Sequence, residues 1–446
     1  QLYLDEAYYW VWSRHLQLSY YDHPPMVAYL IRLATLTCES EACIRLAAVF
    51  CMTLTGGYIF RLGELLGGRR TAWAALAIWA VLPLTNLGYT IVSPDAPLFL
   101  FWSAGLYHAW RILFEDGGWP DFLATGLAIG GMLLSKYTGV LFPAFLLIFV
   151  LWRRPRLLRD GRTWLAAGVA FLLVLPVIWW NARHDWVSFR FQYGHGSSGD
   201  WALRPDLFFE FVGGLFLVFS PVFMGLLLWG LVRNHRSWRD DRLLYLVLAF
   251  AVPLGFFLYK GLFKKMQLNW PAMAFISATL LLAWLVTRHG LRRWFAAGIA
   301  LALVIDLLLF FPTLFPLRPE ANFLNRVHGP REVVERAATY LQPGDALLAD
   351  HLTLAAMFSY YTPGHPPAHV PTPSRFSQYD LWDQGLDVSS LPGIYIATEN
   401  RDDRLGKSVH DYRLLEVFVA RRPGFRDKPY HIYRVNETTG KEHPRP

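Results

Sequence analysis

Asp5-Glu6 and Asp22-His23 lie within the first 25 residues, QLYLDEAYYWVWSRHLQLSYYDHPP, among tyrosines and tryptophans and just ahead of a long series of apolar segments. Carboxylates persist beside a hydrocarbon layer only where water, partners or chemistry compensate for them. Such a group can accept the proton of a hydroxyl as that hydroxyl attacks an electrophilic carbon. Asp5, Glu6 and Asp22 are the candidates for that task, with Tyr8 and Tyr9 available to pack on a sugar ring. The structural alternative makes Asp5 and Glu6 first-turn acids that complement the dipole of a surface helix. Asp22-His23, stiffened by Pro24-Pro25, pairs an acid with a base that can orient a phosphate, and otherwise is a polar turn. Asp95, after Ser93-Pro94, is either a helix cap or a third acid on the same side, so Asp22, His23 and Asp95 are the donors a divalent metal would use.

Positive charge is the second signal. Lys260, Lys264 and Lys265 in YKGLFKKMQLNW, and Lys136 in SKYTG, stand on the side of the membrane where lysine is disfavoured. Lysines there, together with His23, can hold a lipid phosphate and stabilise it as it departs; the structural alternative is snorkelling toward anionic headgroups. Asn269 and Trp270 end the first motif. The loop carrying Arg183, His184, Asp185, Arg190 and Gln192 could line a sugar or acceptor pocket, and an arginine such as Arg183 or Arg190 would suit a carboxylated sugar. Zinc spacing, a Walker loop and a dinucleotide glycine fingerprint are all missing, which argues against nucleotide-sugar or ATP use. No nucleic-acid motif stands behind the net charge of +8.

These residues need a membrane scaffold. Of 446 residues, 54% are hydrophobic and only 17% charged, below the quarter or so usual in soluble domains. Residues 1–16 predict an amphipathic interfacial helix, followed by a short apolar piece at 26–37. Ten apolar windows then recur at about 44–66, 71–92, 95–114, 121–134, 137–152, 163–181, 207–232, 243–260, 268–287 and 293–313. Arginines crowd alternate loops, at Arg69-Arg70, 153–162, 233–242 and 288–293, which puts those loops in the cytoplasm and the acids and lysines outside. Asp306, the one acid well inside a span, predicts a partner on a neighbouring helix. Three cysteines exclude a disulfide framework; Cys38 and Cys43 can pair on an oxidising side, and Cys51 reads as a buried apolar residue. The tail is richer in Pro, Asp, His and Arg and has strand-like runs at 346–349, 393–397 and 414–419 and helix-like ones near 330–341 and 352–361. The expected organisation is a first outer loop (1–41), an all-α polytopic domain (42–316) and a small outer α/β domain (317–446). No signal peptide is visible, and an opening inside a loop suggests a preceding helix.

DEAYYWVW, YYDHPP, SPD, LLSKYTG, WNARHDWVSFRFQ and KKMQLNWPA, in this order over about 1–320, resemble the bacterial branch of the dolichyl-phosphate-mannose protein mannosyltransferase superfamily. These are C-type-fold enzymes related to the aminoarabinose transferase of lipid A and to rhizobial galacturonosyltransferases. The resemblance implies an inner-membrane glycosyltransferase that takes a sugar from a polyprenyl phosphate such as undecaprenyl phosphate, on the periplasmic side and with inversion. Its acceptor would be a glycan, a lipid A-type molecule or a protein. It implies Asp5 as the base or its close partner, Asp22-His23 near the lipid phosphate, and Asp95 as the second acidic loop position. With His23 where the family pattern has lysine, a metal role gains weight; no organic cofactor is implied. SRFSQYDLW, at 374–382, resembles part of the periplasmic domains of such transferases and implies acceptor handling or lid duty. The alternatives are a transporter or lipid flippase, which needs polar residues deep in several spans, and a scaffold that displays the tail.

Overall fold

The computed structural model describes residues 1–197, 202–315, 318–371, 375–398, 405, 409 and 411–436. The chain divides into two compact units, Leu16–Leu307 and a smaller one made of Gln1–His15 with Leu308–Pro446. The expected first segment, 1–41, is therefore shared between them. Its opening helix, α1 (Leu4–Arg14), belongs to the smaller unit.

The larger unit is helical. After Pro24-Pro25 come α2 (Met26–Ala34) and α3 (Glu41–Val81), whose N-cap Ser40 accepts the Cys43 N–H. Two spans were expected where α3 runs, and the helix is broken between them at Gly67 and Gly68. Gly68 has φ +76°, a left-handed conformation that costs glycine little and other residues 1–2 kcal/mol or so. There follow α4 (Pro83–Thr90), α5 (Asp95–Phe114), α6 (Trp119–Ser135), a 3-10 turn at Tyr137–Val140 and α7 (Leu141–Arg153). Next are α8 (Gly161–Arg183), α9 (Val187–Ser197), α10 (Pro205–Val218) and α11 (Pro221–Arg233). The unit ends with α12 (Asp241–Gly261), α13 (Ala274–His289) and α14 (Arg292–Phe310), the last running on into the smaller unit.

The apolar windows fall largely on these helices. Among the described residues, α3, α8, α12 and α14 are each long and apolar enough to cross a membrane, and α10 with α11 make a fifth if the pair is one broken span. That pair lies where a single straight span was expected over 207–232, and its halves meet at 101°. Ser220 sits at the bend with φ +67°, and Pro221, which has no N–H to continue the helical ladder, starts α11. Elsewhere close packing uses small residues, as expected between helices in lipid. A Cβ on Gly126 of α6 would lie 2.5 Å from the Ala166 carbonyl oxygen of α8.

The arginine-rich loops are held by acids and rings. Asp160 and Asp240 cap α8 and α12 by accepting the N–H of Arg162 and Arg242, and Asp241 pairs with Arg154 at 2.7 Å. Asp306 has the neighbour its position called for, since its Oδ2 accepts from Asn86 Nδ2 of α4 at 2.6 Å. Cys38, in the loop after α2, forms a disulfide with Cys43 in the first turn of α3, and Cys51 is buried with a free thiol.

In the smaller unit, α15 (Pro330–Ala338) and α16 (Leu352–Tyr361) accompany a five-stranded sheet of order β2-β1-β3-β5-β4, which also carries the short helix α17 (Gln378–Trp382). β1 (Ala346–Ala349) pairs in parallel with β2 (Ala368–His369) and β3 (Gly393–Ala397). β5 (Lys428–Val435) runs antiparallel to both β3 and β4 (Tyr412–Ala420). Leu348, Tyr395, Tyr433 and Val435 fill the core on one side. The opening helix corrects an expectation here. Glu6 to Ser13 are all buried, so α1 has no lipid-facing stripe, and Trp10 packs edge-on against Tyr360 of α16. Aromatic residues distributed round a short helix call for partners on every side.

Candidate active site

Asp95 is the first residue of α5, but its side chain makes no cap. Oδ1 accepts from Lys136 Nζ at 2.7 Å and Oδ2 from Asn269 Nδ2 at 2.8 Å. SPD, SKYTG and QLNW, far apart in sequence, meet at this point. Asp95 and Lys136 are both buried. In a site of low polarity neither charge is stable without the other. Lys136, expected at the lipid phosphate, is thus paired with a carboxylate and does not stand alone. The expected metal set does not assemble either. Both Asp95 oxygens are engaged by nitrogen donors, and among the described residues no three His, Cys, Asp or Glu side chains group as metal ligands.

The lysine loop follows α12 and is held from both ends. Arg204 N–H donates to Leu262 O at 2.8 Å, and Asn269 reaches Asp95. Lys260 and Lys264 are half-buried. Lys265 is exposed and lies 3.7 Å from Glu210 of α10, a solvated pair of the kind that contributes about 0–1 kcal/mol. Trp270 packs near Phe257, with centroids 6.3 Å apart.

A second seam joins residues 17–22 to α8 and α9. Trp180 Nε1 donates to Gln17 Oε1 at 3.2 Å, Ser188 Oγ to Tyr20 O at 2.9 Å, and Gln192 Nε2 to Asp22 O at 2.8 Å. Ser19 Oγ and Tyr137 Oη lie 3.5 Å apart, and Tyr21 packs on Phe191. Asp22 is buried in this seam and His23 half-buried beside it. Burial pushes the Tyr20 hydroxyl well above its ordinary value, so it serves as a neutral hydrogen-bonding group. Of the expected pocket residues, Gln192 reaches the acidic turn. His184 stacks on Trp180 at 3.9 Å, and Arg183 lies over Trp179. Asp185 is exposed in a left-handed turn with Trp186, and Arg190 is exposed on α9. Gln17, Ser19, Tyr20 and Ser188 escaped the sequence reading; a polar S-Y-Y-D run next to two prolines was the signal for Ser19 and Tyr20, and Gln17 and Ser188 had none.

In the smaller unit the two adjacent acids separate. Asp5 is exposed, whereas Glu6 is fully buried and its Oε2 accepts the Tyr3 N–H at 2.7 Å. Glu6 thus takes the helix-capping position of the structural alternative. Tyr8 is also withdrawn from a sugar-stacking role, since its ring stacks on Tyr379 and its hydroxyl accepts the Gln378 N–H. Tyr9 is buried, edge-on to Trp12. Within SRFSQYDLW, Ser374 lies outside the described residues and the last five form α17.

Among the described residues, long apolar helices with one bent pair carry the buried Asp95–Lys136 site, and the smaller unit holds the mixed sheet. The chain matches the solved structures of ArnT from Cupriavidus metallidurans with TM-scores of 0.67 in the apo state and 0.68 bound to undecaprenyl phosphate. The matches cover 97% and 98% of this chain and 93% of that one, at 15% and 14% identity, so the likeness is one of fold. The family model described as dolichyl-phosphate-mannose-protein mannosyltransferase matches residues 22–180. The lipid A galacturonosyltransferase RgtD of Rhizobium johnstonii is 30% identical over 382 residues, 80% of this chain and 77% of that protein. The lipopolysaccharide core galacturonosyltransferase RgtA of the same organism is 31% identical over 188 residues, 40% of this chain and 36% of that one. The chain belongs to the bacterial branch of this mannosyltransferase superfamily, the polyprenyl-phosphate-sugar glycosyltransferases, and is a multi-pass protein of the inner membrane.

Proposed function

We propose that the protein moves a sugar from a polyprenyl phosphate to an acceptor hydroxyl on the periplasmic side, inverting the anomeric carbon, with Asp5 as the general base. Asp5 accepts the hydroxyl proton as the oxygen attacks the anomeric carbon, the bond to the lipid phosphate breaks, and Lys260, Lys264 or Lys265 stabilises the departing phosphate. The observation that carries the reading is the meeting of three family motifs at Asp95, Lys136 and Asn269, which pins the end of the lysine loop to the start of α5. The exposure of Asp5 beside a capped Glu6 supports the choice of base. The Cys38–Cys43 disulfide supports the orientation, because such bonds persist in oxidising compartments.

For the sugar we propose a uronic acid of the galacturonate type, and for the acceptor a lipid A or core oligosaccharide. Both follow the relatives' activities, and Arg190, exposed on α9, offers a partner for the sugar carboxylate. Mass spectrometry of the lipid that co-purifies with the protein tests donor and sugar together. A polyprenyl phosphate carrying a uronic acid is expected. A neutral or amino sugar on that lipid would overturn the sugar assignment, and co-purification with no polyprenyl phosphate would overturn the donor.

A further inference from the structure

α1, which carries Asp5, is held along its length by the outer domain of its own unit. Ahead of the helix, Leu2 N–H donates to Tyr361 Oη, at the end of α16, at 2.8 Å. In the second turn the Tyr8 ring stacks on Tyr379 of α17, with centroids 5.9 Å apart and planes 20° apart, and Tyr8 Oη accepts the Gln378 N–H at 3.0 Å. Trp10 meets Tyr360 at 4.9 Å and His365 at 5.0 Å, and His15 lies 5.1 Å from Trp382. The two hydrogen bonds join residues 359 and 370 positions apart.

The gripping element is itself anchored. Asp380 Oδ2 accepts from both Ser377 N–H and Ser377 Oγ, at 2.7 and 2.9 Å, which closes the first turn of α17. At the other end Asp383 Oδ1 is hydrogen-bonded to His369 Nδ1 of β2 at 2.8 Å. A continuous chain of contacts therefore runs from the sheet through α17 to Tyr8. Tyr8 lies three residues from Asp5, which makes the two neighbours on one helix face.

We propose that the outer domain sets the position of Asp5, with Tyr379 and Gln378 as positioning residues acting through Tyr8. This rests on Asp5 as the general base. It adds a duty for Gln378 and Tyr379 of SRFSQYDLW, the two residues of that motif that touch Tyr8, to the acceptor-handling or lid duty expected of the motif. The Tyr379 hydroxyl is buried and makes no hydrogen bond among the described residues, so the stacked ring is the working part of the side chain. A misplacement of about 1 Å at a reacting group costs on the order of 10²-fold in rate.

The test compares Tyr379→Ala, Tyr379→Leu, Tyr379→Phe and Val435→Ala in the full chain, purified and assayed for transfer to acceptor alongside thermal melting. Val435 is buried in the sheet core and serves as the control for a weakened domain. Tyr379→Ala is expected to lower kcat at least tenfold with the acceptor KM within twofold, and Tyr379→Phe to stay within twofold of the parent. Val435→Ala is expected to lower the melting temperature without a matching fall in kcat. Tyr379→Leu retains apolar volume and gives the reading if the alanine variant does not fold. An unchanged kcat in the alanine and leucine variants, a raised KM at constant kcat, or an equal kcat loss in Val435→Ala would overturn the proposal. Asp5→Asn separates the two claims. Near-normal transfer by that variant sinks the base assignment and the positioning built on it, whereas an inactive Asp5→Asn beside a fully active Tyr379→Ala sinks positioning alone.

Discussion

Removing one member of the Asp95–Lys136 pair should destabilise the protein far more than removing both. At 2.7 Å the two charges attract by about 6 kcal/mol if the effective dielectric constant is about 20, and the desolvation of both groups offsets much of that gain. Asp95→Asn retains the shape and the Asn269 contact but leaves a buried ammonium without its counter-charge, which costs about 3–5 kcal/mol. Lys136→Met leaves the carboxylate with Asn269 alone and should cost a similar amount. The double variant has neither charge to strand and should return to within about 1–2 kcal/mol of the parent. Denaturation of the purified protein in mixed micelles, followed by tryptophan fluorescence, gives the four free energies of a double-mutant cycle. A single loss of 3–5 kcal/mol raises the unfolded fraction on the order of 10²–10³-fold. Single variants that each lose less than about 1 kcal/mol, and losses that simply add, would show that the pair is solvated and would refute this account of the site.

Two further outcomes follow from the fold. Alkylation of the intact protein without reductant should modify no cysteine; after reduction it should label Cys38 and Cys43 while Cys51 stays protected, and replacing Cys38 by Ser should lower stability by about 2 kcal/mol for so short a loop. Ser220→Gly should change stability by less than about 1 kcal/mol in the same micelle titration, because relief of the positive-φ backbone at the α10–α11 bend is offset by loss of the buried hydrogen bond from Ser220 Oγ to the Gly298 carbonyl.

Much of the scaffold was legible because lipid imposes a simple rule: long apolar windows become helices. The tail strands at 346–349 and 393–397 were legible as unbroken apolar runs, and both match the structure. β5 was missed because Lys428 and Pro429 open it and Arg434 interrupts its apolar face; that arginine is buried with Asp345 at 2.7 Å and donates to the Tyr340 carbonyl. The bend at Ser220 was invisible, since apolar composition continues through it. The candidate site divided along similar lines. Residue types marked Asp95, Lys136 and Asn269 one by one, but a contact between positions 41 and 174 residues apart has no local signature. Aromatic spacing in DEAYYWVW pointed to a surface helix, whereas Tyr8 packs on Tyr379 of α17 and Trp10 on Tyr360 of α16.

Everything turns on Asp5 as the group that accepts the proton. The direct measurement is transfer from a polyprenyl-phosphate sugar by the purified Asp5→Asn variant, with binding of the polyprenyl phosphate measured alongside. The account predicts loss of transfer by at least 10²-fold or so, with lipid binding unchanged. Transfer within a few-fold of the parent would contradict it.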